Sequence, residues 1–175
     1  MARTSQILWV LFKTLIFTIF VPGVVAFWIP RTLRTRMTFD LYLDEKMLFR
    51  LIASMFLFLA GVLIYLWCAW DFSVKGLGTP APFDAPKKLV VNGVYRYVRN
   101  PMYVGVACII AAQIVAVWST EIFLYLLFVL LCANLFVLFY EEPHLRKIFG
   151  EQYEDYCRNV RRWIPRLTPY RPLLG

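Results

Sequence analysis

Charged residues are scarce in this 175-residue chain, at 17%, whereas hydrophobic residues make up 61%. Soluble domains are ordinarily about 25% charged and about 45–50% apolar, so the excess is too large for one soluble core of this length. The same hydrophobicity excludes an intrinsically disordered chain, because such a chain could not stay solvated. The mean hydropathy of +0.62 is therefore that of an integral membrane protein.

Cysteine and histidine are also few. The four cysteines, Cys68, Cys108, Cys132 and Cys157, are scattered and form no C-x-x-C pair, which excludes a disulfide scaffold. The single histidine, His144, cannot complete a zinc site with thiols so far apart, so we expect no metal site. Taken alone, His144 is interpreted as a surface residue in the first turn of a helix.

Four apolar runs are predicted to cross the bilayer as helices. A helix that rises 1.5 Å per residue needs about 20 residues to span roughly 30 Å of hydrocarbon. Only three residues, 119–121, separate the last two runs, which predicts a tight antiparallel hairpin. The predicted spans are 7–29, 51–70, 102–118 and 122–140.

A different pattern follows the last apolar run. Between 143 and 162, apolar residues recur every three or four positions among charged ones, which predicts an amphipathic helix at the membrane surface or packed across the spans. The chain is thus predicted to be an all-α integral membrane protein, a single domain over 1–175 with about four transmembrane helices and a C-terminal amphipathic helix. In the loop before the third span, Asn92-Gly93 between short apolar runs predicts a hairpin turn.

Positive charge is distributed unevenly between the two sides of this bundle. Thirteen lysines and arginines belong to the N-terminus, the 71–101 loop and the C-terminal tail, and five lie on the opposite side. The positive-inside rule therefore predicts that both termini are cytoplasmic. The net charge of +8 suits anionic lipid head groups. Because these charges flank the spans, nucleic acid is not an expected partner. The small size favours a prokaryotic inner-membrane protein, and the sequence does not indicate an oligomeric state.

Polar residues concentrate at two places on the predicted cytoplasmic side, the 71–101 loop and the Glu141-Glu142 pair at the exit of the fourth span. Acidic residues at a helix C-terminus close to hydrocarbon are unfavourable unless they meet a cation or a ligand. Since the last two spans form a hairpin, the two glutamates should converge with Arg96 and Arg99. An ion pair alone would satisfy them, and so would a ligand that carries a cation and hydroxyl groups.

Three separated motifs occur here in order: GVYRYVRNPMYVG at 93–105, EEPHLRKIFGEQYEDYC at 141–157, and Trp163-Ile164-Pro165. Together they resemble the isoprenylcysteine carboxyl methyltransferase family, to which the phospholipid N-methyltransferases are related. The similarity covers about residues 70 to 166, and the first two spans match only in hydropathy. The resemblance implies a small membrane bundle that binds S-adenosylmethionine on its cytoplasmic side and receives a lipophilic acceptor, a prenylcysteine carboxylate or a phospholipid amine, from the bilayer.

The resemblance also implies roles for individual residues. Arg96 and Arg162 are candidates to hold a carboxylate acceptor, and Glu142 is the candidate proton acceptor for an amine. Asn100 stands where many members of the family have His, so proton transfer is not expected at that position. The residues implied to bind the cofactor are Gly76, Gly78, Tyr95, Arg99, Asn100, Pro101, Tyr103, Glu141 and Glu142.

Two other functions remain open at this point. Some sterol reductases share an Arg-x-Pro-x-Tyr motif and an acidic pair, so an NADPH-dependent membrane reductase is one alternative. A non-catalytic membrane scaffold, in which the acidic pair is only structural, is the other. The Gly76-x-Gly78 pattern combined with the paired glutamates favours the methyltransferase, whereas no residue identifies the acceptor.

Overall fold

The computed structural model describes residues 2–33, 45–79 and 88–171, and within these ranges it contains helices and loops but no strand. The chain is thus all-α where it is described, as predicted. Arg34, Arg36 and Lys87, which contributed to the predicted orientation, lie outside the described residues. The α-helices are α1 (Ala2–Phe20), α2 (Ile29–Leu33), α3 (Glu45–Asp71), α4 (Pro101–Val117), α5 (Thr120–Phe136), α6 (Glu142–Phe149) and α7 (Glu151–Asn159).

Three continuous helical stretches are long and apolar enough to cross a membrane: Thr4–Leu33, Met47–Gly76 and Thr120–Phe149, of 30 residues each. At 1.5 Å per residue each extends about 45 Å, which exceeds the roughly 30 Å of the hydrocarbon core. The fourth apolar helix, α4, has 17 residues and extends only about 26 Å. These stretches confirm a multi-pass helical membrane protein.

Helices α3 and α4 pack most closely where two glycines face each other. A Cβ atom added to Gly61 would lie 2.7 Å from the carbonyl oxygen of Gly105, and one added to Gly105 would lie 2.9 Å from that of Gly61. Glycine is therefore required at both positions for the two backbones to approach this closely. The contact holds α4, the shortest apolar helix, firmly against α3.

The predicted hairpin between the last two spans is present and tight. Helix α4 ends at Val117, and the next residue, Trp118, adopts a left-handed conformation with φ +52°. Ser119 then caps α5, since its hydroxyl oxygen accepts a hydrogen bond from the backbone N–H of Ile122 at 3.2 Å. The antiparallel packing of α4 and α5 therefore depends on a two-residue connection.

Three π-helical turns interrupt the long stretches, at Val24–Trp28, Phe72–Gly76 and Val137–Glu141. A π turn adds one residue to a helical turn, so it changes which side of the helix the following residues face. The first turn follows Pro22 and Gly23, which cannot continue a regular α-helix without strain or entropy cost. The third ends at Glu141, directly before Glu142 begins α6.

The C-terminal region differs from the prediction of one amphipathic helix over 143–162. Gly150, with φ +51° and ψ −127°, divides it into α6 and α7, and the helix ends at Asn159 because Val160 is extended. The Asn92-Gly93 hairpin prediction is also wrong. Gly93 begins a short 3-10 helix with φ +53°, and a Cβ there would lie 2.6 Å from the Trp67 indole nitrogen.

Residues 160–171, here called the C-terminal strap, run back along the segment that precedes α4. The strap brings Trp163 to the first turn of α4, at Tyr103, and to the C-terminal part of α5, at Asn134. Its backbone attachments are Arg99 N to Arg161 O, Arg166 N to Tyr97 O and Tyr170 N to Arg96 O, each 2.9 Å.

Candidate active site

A cavity of about 450 Å³ lies between the first helical stretch and the α4–α5 hairpin. This volume is within the range of small-molecule sites in proteins, about 300–1,000 Å³. Most of its wall is apolar and is drawn from segments that cross the membrane. The apolar wall consists of Phe17, Val21, Pro22, Val25, Ile29, Phe72, Met102, Val106, Phe128, Val129, Ala133, Phe136 and Leu145.

One end of the cavity is polar, and its polar groups come from the ends of several elements. The Tyr103 hydroxyl on α4 donates a hydrogen bond to the Glu141 carboxylate at 3.1 Å. Arg99 lies beside them with its side chain only 10% exposed, and its Nε is buried without a hydrogen-bond partner among the described residues. Tyr95, Asn100 and Thr79 complete this end.

The neighbouring Glu142 has different surroundings. It is 3% exposed and faces three guanidinium groups. Arg162 binds it through two hydrogen bonds of 2.6 and 3.1 Å, Arg99 approaches to 3.1 Å, and Arg146 to 3.5 Å. This ion cluster joins the loop before α4, helix α6 and the C-terminal strap. Glu142, Arg146 and Arg162 stand behind the cavity, and Arg99 connects them to its wall.

The C-terminal strap supports the polar end from the same side. The Trp163 indole N–H donates to the Asn134 side-chain oxygen on α5 at 3.0 Å, and its ring packs edge-on against Tyr103 at 6.1 Å between centroids. The Asn100 amide donates to the backbone carbonyl of Arg162 at 3.3 Å. Trp163 thus restrains the tyrosine that binds Glu141.

The electrostatics of the residues outside the spans follow from burial and from the ion cluster. Burial raises the pKa of the Tyr95 phenol well above its ordinary value, so Tyr95 stays a neutral hydrogen-bond donor. Burial also raises the pKa of the Cys157 thiol, although the Arg99 guanidinium, which donates to its sulfur, opposes the shift. The thiol therefore stays protonated at neutral pH and is a poor nucleophile.

The structure brings together some of the predicted site residues and not others. Tyr95, Arg99, Asn100, Tyr103 and Glu141 line the cavity. Glu142 and Arg162 form the ion cluster behind it. The remaining four predicted residues belong neither to the cavity wall nor to the ion cluster. Arg96 donates from its Nε to the Tyr170 carbonyl at 2.7 Å, and the other three, all buried, are Gly76, Gly78 and Pro101.

Sequence reasoning missed several residues that line the cavity. His144, interpreted as a surface residue, lies at the cavity edge and stacks on Tyr140. Thr79, 2% exposed, follows directly after the Gly76-Leu77-Gly78 segment, which was the available signal for it. The wall formed by Phe17 and Pro22 could not be found from local patterns, because it depends on how the first helix packs.

Comparison with known proteins identifies the family. Residues 49–152 match the phospholipid methyltransferase family. A phosphatidylethanolamine N-methyltransferase of Aspergillus clavatus is 39% identical over 97 residues, which cover 53% of this chain and 10% of that protein. One from Emericella nidulans is 33% identical over 87 residues, which cover 47% of this chain and 9% of the relative. No solved structure matches the chain.

These matches confirm the resemblance to membrane methyltransferases, and they fall on the phospholipid branch of that group. The chain spans about a tenth of the length of the curated relatives it matches. Both relatives are fungal, so they lend no support to the predicted prokaryotic inner membrane. The matched region includes α4, α5 and Glu141, and thus most of the polar end of the cavity. The chain belongs to the phospholipid methyltransferase family.

Proposed function

We propose that this chain is a membrane methyltransferase that transfers a methyl group from S-adenosylmethionine to the amine of a phospholipid head group. The observation that carries the proposal is the shape of the cavity: a polar end around Glu141, Tyr103 and Arg99 continues into an apolar wall formed by membrane-crossing helices. Such a cavity suits a polar methyl donor and an amphiphilic acceptor together. The family match supports the same chemistry.

The residues present fit the methyl donor. The buried, unpartnered Nε of Arg99 suits a carboxylate, and the Glu141 carboxylate suits hydroxyl or ammonium groups. The rings of Tyr95 and Tyr103 offer aromatic faces, which attract a sulfonium. When bound, S-adenosylmethionine supplies an electrophilic methyl group on sulfur. What the protein contributes is positioning and exclusion of water.

Amine methylation requires the protein to handle a proton. A primary alkylamine is protonated at neutral pH, as the lysine side chain is, and has no free lone pair until it loses a proton. Once neutral, its nitrogen forms the new bond to carbon while the sulfur–carbon bond breaks and its electron pair stays on sulfur. The proton therefore needs an acceptor in the cavity.

We propose Glu141 for this role in place of Glu142. The three guanidinium groups around Glu142 occupy its oxygens and stabilise its charged form, so it is a weak proton acceptor. Glu141 lines the cavity, and the Tyr103 hydroxyl donates a hydrogen bond to its carboxylate. Glu142 then serves to hold Arg99 and Arg162 in place.

We further propose that both ends of the chain lie on the cytoplasmic side, where the methyl donor is found. The asymmetry of lysine and arginine supports this orientation. Attachment of the C-terminal strap to the segment before α4 supports one part of it, that the C-terminal tail and the loop before α4 share a side of the membrane. A reporter fused to either end and assayed for cytoplasmic exposure tests the orientation, and exposure on the opposite side overturns it.

The test of the function is a binding titration of the full chain in lipid nanodiscs. S-adenosylhomocysteine, the product of the methyl donor, is titrated by calorimetry, with NADPH in parallel as the ligand of the alternative reductase. We expect S-adenosylhomocysteine to bind and its affinity to fall at least tenfold in Arg99→Gln, since a carboxylate loses its charged partner. Binding of NADPH alone would overturn the proposal in favour of a reductase. Binding of neither would overturn it in favour of a scaffold.

A further inference from the structure

Amine methylation leaves one proton inside the cavity in each turnover, and this proton has to reach water. The inference below rests on the proposed function, because methylation of a carboxylate would release no proton. Glu141 is a poor final acceptor, since a carboxyl group in the cavity that kept the proton would be unable to accept the next one. A second group at the cavity edge, in contact with solvent, would restore it.

His144 has the position that such a group needs. It lines the cavity, is exposed at the protein surface two residues before the exposed, charged Arg146, and follows Glu141 by three residues along one continuous helical stretch. Residues three apart on a helix are neighbours on its surface. His144 is also the single histidine of the chain, and histidine is the residue type that gains and loses a proton most readily near neutral pH.

Ring stacking holds the imidazole at this edge. The His144 ring stacks on Tyr140 with 6.0 Å between centroids and 15° between planes, and Tyr140 stacks on Phe136 at 5.0 Å and 27°. All three residues line the cavity. The ladder therefore runs from the apolar wall to the solvent and keeps the imidazole from turning away.

The other ionisable groups in the cavity wall are less suited to the task. Tyrosine and arginine side chains do not exchange protons near neutral pH, and Cys132 lies nine residues before Glu141, in the apolar part of α5. The ionisable groups of the wall, besides His144, are Tyr65 on α3, Tyr95 and Arg99 before α4, Tyr103 on α4, Tyr125 and Cys132 on α5, and Tyr140 and Glu141 after it, whereas the first helical stretch contributes none.

We propose that His144 is the proton-transfer residue that carries the proton of the acceptor amine from Glu141 to water. The ammonium N–H bond breaks and its proton passes to a Glu141 oxygen, which leaves the lone pair on nitrogen for the new bond to carbon. The Glu141 proton then passes to an imidazole nitrogen, and the imidazolium releases it to water. Each group returns to its starting protonation state before the next turnover.

The experiment compares the pH dependence of methyl transfer to phosphatidylethanolamine in nanodiscs. His144→Phe keeps a ring for stacking on Tyr140 but cannot carry a proton. Lys147→Gln changes an exposed residue in the last turn of α6, outside the cavity wall, and is the matched control. Binding of S-adenosylhomocysteine is measured for each variant, so that folding and site integrity are known independently of turnover.

We expect His144→Phe to lower the rate at pH 7 by about tenfold or more, with the deficit shrinking as the pH approaches the range where the amine loses its proton directly to water. Lys147→Gln should follow the parent profile, and all variants should bind S-adenosylhomocysteine alike. Added imidazole should restore the rate of His144→Ala, since it replaces the missing group.

Two results would overturn the inference while leaving the proposed function intact. One is a His144→Phe profile that coincides with that of the parent. The other is a deficit that is equal at every pH and that imidazole does not relieve in His144→Ala, which would indicate a structural role. Failure of the parent itself to methylate any amine lipid would overturn the proposed function, and this inference with it.

Discussion

At the residue scale, two adjacent carboxylates have opposite surroundings. Glu141 accepts a hydrogen bond from one tyrosine and lines the cavity, whereas Glu142 is enclosed by Arg99, Arg146 and Arg162. Consecutive residues on a helix point about 100° apart, so the two side chains leave the helix in different directions, one toward the cavity and the other toward the arginines. One glutamate is thereby available for chemistry and the other for structure.

Glu142→Gln is therefore expected to destabilise the protein. Removing one partner from a buried ion cluster leaves the arginines without their counter-charge, at a cost of about 3 kcal/mol in the free energy of unfolding. Glu154→Gln is the control, since Glu154 pairs with Arg146 in an exposed bridge and such bridges contribute at most about 1 kcal/mol. Denaturant-induced unfolding in detergent measures both. Equal stability of Glu142→Gln and the parent would contradict this assignment.

Glu141→Gln is expected to impair turnover and to leave the stability of the protein nearly unchanged. Glutamine keeps the size of the side chain and an oxygen that can accept from Tyr103, so stability should change little. The rate of methyl transfer should fall about a hundredfold, since the amide cannot take a proton. A pair of assays, unfolding and turnover, separates the two glutamates. Full activity of Glu141→Gln would exclude it as the proton acceptor.

The sequence predicted that the two glutamates and the arginines before α4 would converge, but not that the two glutamates would have different surroundings. Hydropathy and the three-residue connection predicted that Arg99 and the glutamates would meet at one end of the hairpin. Which of two adjacent residues faces the cavity depends on how the helix is rotated by its tertiary packing, so local sequence did not distinguish Glu141 from Glu142. Local sequence also did not distinguish Arg99 from Arg96, which binds the Tyr170 carbonyl instead.

At the element scale, the site depends on how tightly α4 lies against α3. The paired glycines at the crossing leave no room for a side chain, since a Cβ on Gly61 would approach the Gly105 carbonyl oxygen to 2.7 Å. Two backbones in contact cannot yield as a flexible side chain does. Tyr103 is on the same helix as Gly105, so a shift of α4 would also move the cavity wall.

Gly61→Ala is accordingly expected to destabilise the protein by about 1–3 kcal/mol through overpacking, which outweighs the gain of about 1 kcal/mol in helix propensity. Leu63→Ala is the matched control, because Leu63 lies on the same helix and is 65% exposed. Thermal unfolding followed by helical circular dichroism compares them. A Gly61→Ala variant as stable as the parent would contradict the close crossing.

The C-terminal strap should affect turnover through Trp163. Trp163→Phe keeps an aromatic ring beside Tyr103 but leaves the Asn134 side-chain oxygen unpaired, a loss of about 1–3 kcal/mol. We expect kcat to fall about tenfold with a smaller change in KM, because Tyr103 is held less firmly. Ile164→Ala, at an exposed neighbouring position, should change neither. Identical kinetics for Trp163→Phe and the parent would show that the strap does not support the site.

The elements themselves were predictable to different degrees. Long apolar runs identified the membrane helices, and the short polar stretch at 119–121 identified the hairpin. The break at Gly150 was not predicted, because the apolar spacing continues across it and only the positive φ of that glycine interrupts the helix. The strap has no periodic pattern at all, so its attachment to 96–99 depends on tertiary contacts that local sequence does not encode.

At the scale of the whole molecule, membrane-crossing helices enclose a cavity with a polar end. The first stretch contributes Phe17, Pro22 and Val25, far in sequence from the motifs that identified the family. The family match begins at residue 49, so this wall lies outside the matched region. An acceptor with a long apolar part and a small polar head is the ligand that suits both ends of the cavity.

The most direct test of the account is methyl transfer to a defined acceptor. The full chain, in nanodiscs that contain phosphatidylethanolamine, is incubated with S-adenosylmethionine carrying a labelled methyl group, and the lipids are analysed by mass spectrometry. A prenylcysteine carboxylate is offered in a parallel sample. The account predicts labelled methyl on the nitrogen of the phospholipid. Label on the prenylcysteine alone, or on no lipid although S-adenosylhomocysteine binds, would contradict it.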